Sequence, residues 1–134
     1  MKKYSPKSKI WLHKTWGYPD NRRHIFEVGY ETTEAMFKDV NDAYKKAFKR
    51  INADGMIPSG DAMLEAYRKK PDIVYRDDIH ASLGFGRYML GLVWFVKLFG
   101  IKNDFKHPEQ FDEPVSSEDR DMAYEIACAV NKGA

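Results

Sequence analysis

TEAMFKDVNDAYKKAFKRINADGMIP, residues 33–58, changes its hydrophobic period partway along. Over residues 33–53, Met36, Val40, Ala43, Tyr44, Ala47 and Ile51 recur at steps of three and four, while Lys38, Asp39, Asp42, Lys45, Lys46 and Lys49 fill the opposite face. That spacing predicts an amphipathic helix with Gly55 as its stop, and Met56-Ile57-Pro58 then reads as a short apolar strand. Upstream, residues 10–16 read as a buried strand: Trp11 and Trp16 flank Leu12, and Gly17, Pro19, Asp20 and Asn21 end the run. A strand, a covering helix and a second strand make a βαβ unit, which closes right-handed onto a parallel sheet. The expected class is α/β, helix-rich with a short parallel sheet.

Outward from this unit the chain is simpler. Residues 17–32 read as a long polar loop in which Arg22, Arg23 and His24 are solvated. Asp61 is expected to cap a short helix over 62–69, which Pro71 ends. Ser82 is placed to cap an apolar helix from about Leu83, whose Tyr88, Leu90, Leu92, Val93, Trp94, Phe95 and Leu98 read as core. Gly84, Gly86 and Gly91 are expected to let that helix pack closely against its neighbours. Residues 101–115 read as loop. Ser116-Ser117-Glu118-Asp119 resembles a capping box for a last helix striped by Ala123, Ile126, Ala127 and Val130 and ended by Gly133, with Cys128 as a packing residue.

The totals narrow the function classes. A chain of 134 residues points to one domain over 1–134, and 43% hydrophobic with 14% aromatic residues is a globular composition. The 22 basic and 20 acidic residues leave a net charge of +2, so nothing asks for nucleic acid, and the basic run from Lys2 to Lys14 is broken by Tyr4, Ile10, Trp11 and Leu12. One cysteine excludes an intrachain disulfide and a cysteine-based zinc site, and the four histidines do not fall at ligand spacings, so no metal or cofactor is expected. The first nine residues have no apolar core of a signal peptide, and the longest apolar run, interrupted by Lys97, is too short for a bilayer, so no membrane partner is expected and the compartment stays open.

Chemistry concentrates in Asp77-Asp78-Ile79-His80. A carboxylate three residues before a histidine can fold back and accept the imidazole Nδ1 hydrogen, which leaves Nε2 free as a base. The positive end of the following helix disfavours imidazolium while Asp77 favours it, and the two oppose each other near a working pKa.

Three segments, Trp11-Leu12-His13-Lys14-Thr15-Trp16-Gly17-Tyr18, Gly55-Met56-Ile57-Pro58-Ser59-Gly60-Asp61-Ala62 and Asp77 through Gly100, resemble in order the C-terminal half of bacterial SGNH/GDSL-type hydrolase-like proteins. The sharpest part is the last, which is similar to the superfamily's Asp-x-x-His element followed by a glycine-containing helix start. The resemblance implies a partial three-layer sandwich with a flavodoxin-like sheet, and hydrolysis of small esters, often acetyl groups on carbohydrates. It implies Asp77 as the orienting carboxylate, His80 as the base, and Trp16 and Tyr18 as lining of the substrate mouth. Asp78 stands where the related motif commonly has glycine. The superfamily's Gly-Asp-Ser-like nucleophile block and its oxyanion blocks do not occur in this sequence; Gly100-Ile101-Lys102-Asn103-Asp104 has one residue too many for Gly-x-Asn-Asp and follows the histidine. The expectation is therefore the C-terminal part of such an esterase, inactive until a nucleophile comes from a missing N-terminal half. The alternatives are a non-catalytic module for ligand or partner binding, self-associating through an open sheet edge, or a complete enzyme with a rearranged triad using Ser59 or Ser82.

Overall fold

A computed structural model describes residues 4–108 and 112–132. The elements run β1 (Trp11–His13), α1 (Arg23–Glu27), α2 (Thr33–Ile51), β2 (Gly55–Ile57), α3 (Ser59–Lys69), a 3₁₀ turn at Pro71–Ile73, α4 (Phe85–Phe99) and α5 (Ser117–Lys132). β1 and β2 pair in parallel, Leu12 opposite Met56, so the βαβ unit and the mixed α/β class are as the spacing predicts. Successive residues of an extended strand point to opposite faces. Lys14 accordingly meets α2, its Nζ 2.8 Å from Asn41 Oδ1 and over the Phe37 ring, while the His13 ring meets Trp94 of α4 edge-on at 5.1 Å. The two strands thus lie between α2 and α4.

The core is built where β2, α3, α4 and α5 meet: Ile57, Met63, Val74, Met89, Val93 and Ala127 are fully buried, with Phe85, Val96 and Ile126 beside them. α4 is apolar on nearly every side, but of its side chains only Phe85, Met89, Leu92, Val93 and Val96 are buried, whereas Trp94 and Leu98, expected in the core, face outward because no described element covers that side.

Several boundaries differ from expectation for local reasons. The first strand is short and exposes Trp11 and His13, because β2 covers one edge and α4 covers only part of the face those two residues share. The 17–32 loop holds α1, which turns its Ile25 completely inward. α2 stops at Asn52, not at Gly55: Asn52 takes a left-handed conformation (φ 51°), its N–H and that of Ala53 bond back to Lys49 and Phe48, and Gly55 joins β2 beneath the Trp11 ring. Thr32 Oγ1 caps the other end by accepting from Ala35 N–H. α3 begins at Ser59, so Asp61 is no cap; it lies within the first turn with Oδ2 2.6 Å from Lys14 Nζ. The capping box before α5 is half formed, since Asp119 N–H donates to Ser116 Oγ while the Asp119 carboxylate takes Lys70 instead. The expected stop at Gly133, and Lys2 and Lys3 of the basic run, lie outside the described residues.

Candidate functional site

Residues 74–82 form a tight loop that returns the chain from the 3₁₀ turn to α4. Ser82 N–H donates to Val74 O, Arg76 N–H to His80 O, and Tyr75 pairs with Ala81 in one antiparallel bridge. The Asp77 side chain organises the tip: Oδ1 accepts the N–H groups of Ile79 (2.9 Å) and His80 (2.7 Å), the Asx-turn geometry in which a carboxylate replaces a backbone acceptor. The same carboxylate meets the ring, with His80 Nδ1 2.9 Å from Oδ2. The backbone N–H of His80 first, then that of Ile79, hold the Asp77 carboxyl far below the usual carboxylate range, and the His80 imidazole adds to this.

With Nδ1 committed to Asp77, Nε2 has no hydrogen-bond partner among the described residues, and the side chain is 57% exposed. Asp78 points elsewhere: its Oδ2 lies 3.1 Å from His24 Nδ1, and that imidazole lowers the Asp78 carboxyl. The structure thus assigns the two adjacent carboxylates to two different histidines. The His24 partnership depends on α1 crossing over the loop, for which the sequence carries no local signal.

Trp16 holds the loop directly, and Tyr18 ties the chain that carries Trp16 to α2. Trp16 Nε1 donates to Ile79 O at 2.9 Å, fixing the peptide next to His80. Tyr18 is tied by its backbone to the start of α2, its carbonyl accepting from Thr33 Oγ1 at 2.6 Å. A third support is Tyr75, whose hydroxyl donates to Gly17 O at 2.7 Å and whose pKa burial raises. Trp16, Tyr18, Asp77 and His80 line none of the described cavities. The two largest, about 820 and 810 Å³, share Asn41, Asp61, Ala129 and Val130, the first lined by α2, α3 and α5 and the second reaching Lys14 and β2, and neither is lined by the imidazole.

Neither sequence-nominated serine meets His80. Ser82 Oγ donates to Ile73 O at 2.6 Å and accepts Gly86 N–H at 2.8 Å, so it satisfies a first-turn amide of α4, although the helix starts at Phe85 with Gly84 at its N-cap rather than near Leu83. Ser59 is fully buried with Oγ 2.8 Å from His13 Nε2, and burial lowers the His13 pKa. This second Ser–His pair has no solvent-facing hydroxyl, so it fastens α3 to β1 and cannot attack a substrate.

Comparison with known proteins sets this geometry in a family. The chain superposes on the crystal structure of a DUF4886 family protein from Bacteroides uniformis ATCC 8492, determined at 1.50 Å resolution, with a TM-score of 0.81 and 27% identity. The match covers 92% of this chain and 48% of that one, so the chain spans about half the length of the protein it resembles. No curated protein matches it. Residues 2–129 match the family described as a domain of unknown function, DUF4886, and the chain therefore belongs to the DUF4886 family.

Proposed function

We propose that this chain is the base-bearing part of an SGNH-type serine esterase acting on small esters such as O-acetylated carbohydrates, and that the serine nucleophile and oxyanion donors belong to a segment outside it. The observation that carries the reading is the Asp77–His80 pair: the carboxylate holds Nδ1 and leaves Nε2 facing solvent, as a general base needs. In that role His80 Nε2 takes the proton of an incoming serine hydroxyl as its oxygen attacks the ester carbonyl carbon. The imidazolium, stabilised by Asp77, returns the proton to the departing alcohol, and water repeats the cycle on the acyl-enzyme. Trp16 keeps the peptide beside the ring in register through Ile79 O.

The half-length match to the Bacteroides uniformis protein supports a site shared between two parts. The chain by itself is expected to hydrolyse no aryl acetate and to resist a fluorophosphonate serine probe. Joined to the remaining half of a DUF4886 domain it should do both, and His80→Ala should then lower turnover by about three orders of magnitude or more. Labelling of a serine in the isolated chain, or full activity of the joined protein carrying His80→Ala, would contradict the reading. A non-catalytic binding module is the second reading, favoured by the exposed apolar surface beside β1, and it predicts partner binding with no turnover in either form.

A further inference from the structure

β1 is hydrogen-bonded on one side only. Ile10 O accepts from Asp54 N–H and Lys14 N–H donates to Ile57 O, so the alternation of an extended chain turns the N–H and C=O groups of Trp11 and His13 away from β2, toward an edge with no strand partner among the described residues. On the face that His13 presents, α4 continues the surface. Its stripe of Gly91, Trp94 and Leu98 faces outward, Trp94 38% and Leu98 50% exposed, with Trp94 against the His13 ring. A Cβ added at Gly91 would meet nothing among the described residues within 4 Å. A mid-helix glycine costs about 1 kcal/mol relative to alanine, and nothing described in the chain gives a packing reason for it. A strand edge without a partner among the described residues, an outward ridge of Trp94 and Leu98, and a notch at Gly91 where that ridge begins together have the shape of a seat for a strand and a helix.

We infer that the edge of β1 and the Gly91–Trp94–Leu98 stripe form a docking surface for the other half of a DUF4886 domain. A strand of that half adds to the sheet beside Trp11 and His13, and an apolar helix crosses α4 at Gly91. The occupant is named from length: the Bacteroides uniformis protein carries about as much chain again outside the matched region. A strand running parallel to β1 ends next to Trp16, whose indole holds Ile79, so the docked half delivers its own strand-end loop to His80. Only this last step rests on the esterase reading; docking itself is read without turnover.

The test mixes this chain with the unmatched half of the Bacteroides uniformis protein, expressed as a separate polypeptide, and follows light scattering and amide hydrogen exchange. The expected result is a one-to-one complex in which the Trp11 and His13 amides gain protection, with Gly91→Arg or Trp94→Asp weakening binding at least about tenfold while leaving the circular dichroism of the free chain unchanged. Phe26→Asp, exposed on α1, should bind as the parent does. A homodimer through the same residues, a complex indifferent to Gly91→Arg and Trp94→Asp, or no complex would overturn the inference. A complex that forms as expected but hydrolyses no ester would leave the docking surface standing and remove the esterase reading.

Discussion

Asp77 does three things with one carboxylate: it closes the turn through two backbone N–H groups, it orients His80, and its own acidity increases as a result. The sign of the pH dependence follows. A folded-state pKa below the unfolded value means that the unfolded chain binds more protons in that range, so the stabilisation is complete above the ordinary aspartate pKa of about 3.9 and is lost as pH falls below it. The Ile79 and His80 amide resonances should therefore hold their positions from neutral pH down to about pH 4 and move toward random-coil values only in stronger acid. Movement already complete well above pH 4 would contradict this role of the Asp77 carboxylate. The spacing in Asp77-Asp78-Ile79-His80 made a carboxylate–imidazole contact legible in advance, because a three-residue return is local geometry. The diversion of Asp78 to His24 was not legible, since it joins residues far apart in sequence.

Two glycines of α4, both expected to serve close packing, turn out to differ. A Cβ at Gly86 would lie 2.7 Å from Val74 O and 3.0 Å from Ala81 Cβ, so the first turn of α4 touches the loop that carries His80 only because that position lacks a side chain. A Cβ at Gly91, one and a half turns later, would meet none of the described residues within 4 Å. Gly86→Ala should destabilise the chain by roughly 1–3 kcal/mol through overpacking, whereas Gly91→Ala should stabilise it by up to about 1 kcal/mol through helix propensity. Denaturant midpoints of the two variants at equal m-value separate the cases; a loss at Gly91 comparable to that at Gly86 would contradict the open notch. Elements of this length follow from hydrophobic periodicity, as α2 illustrates. Their ends are less readable, because any residue able to adopt a left-handed conformation can stop a helix, and Asn52 did so three residues before the glycine.

The molecule as a whole is pinned where His13 joins β1 to α3 through Ser59 and to α4 through Trp94. Part of the ring touches solvent, but its burial lowers the pKa below the usual histidine value. The neutral form is the one the fold accommodates, so this contribution is fully present above about pH 6.5 and declines as pH falls through the depressed folded value. Urea midpoints are expected to fall from pH 8 toward pH 5, and His13→Gln, which cannot titrate, should flatten that decline. An unchanged pH profile in the variant would remove His13 from the account. No helix among the described residues is long and apolar enough to cross a membrane.

By itself the sequence determined the βαβ unit, the parallel pairing, the amphipathic helices and the Asp77–His80 contact, because each depends on residues a few positions apart or on a hydrophobic period that local geometry enforces. Only the tertiary structure decided that Asp78 serves His24, that Ser59 is buried against His13, and that Trp94 faces outward beside β1. Those outcomes depend on how distant segments pack against one another, and burial and hydrogen-bond satisfaction of that kind are settled only when the whole chain is folded.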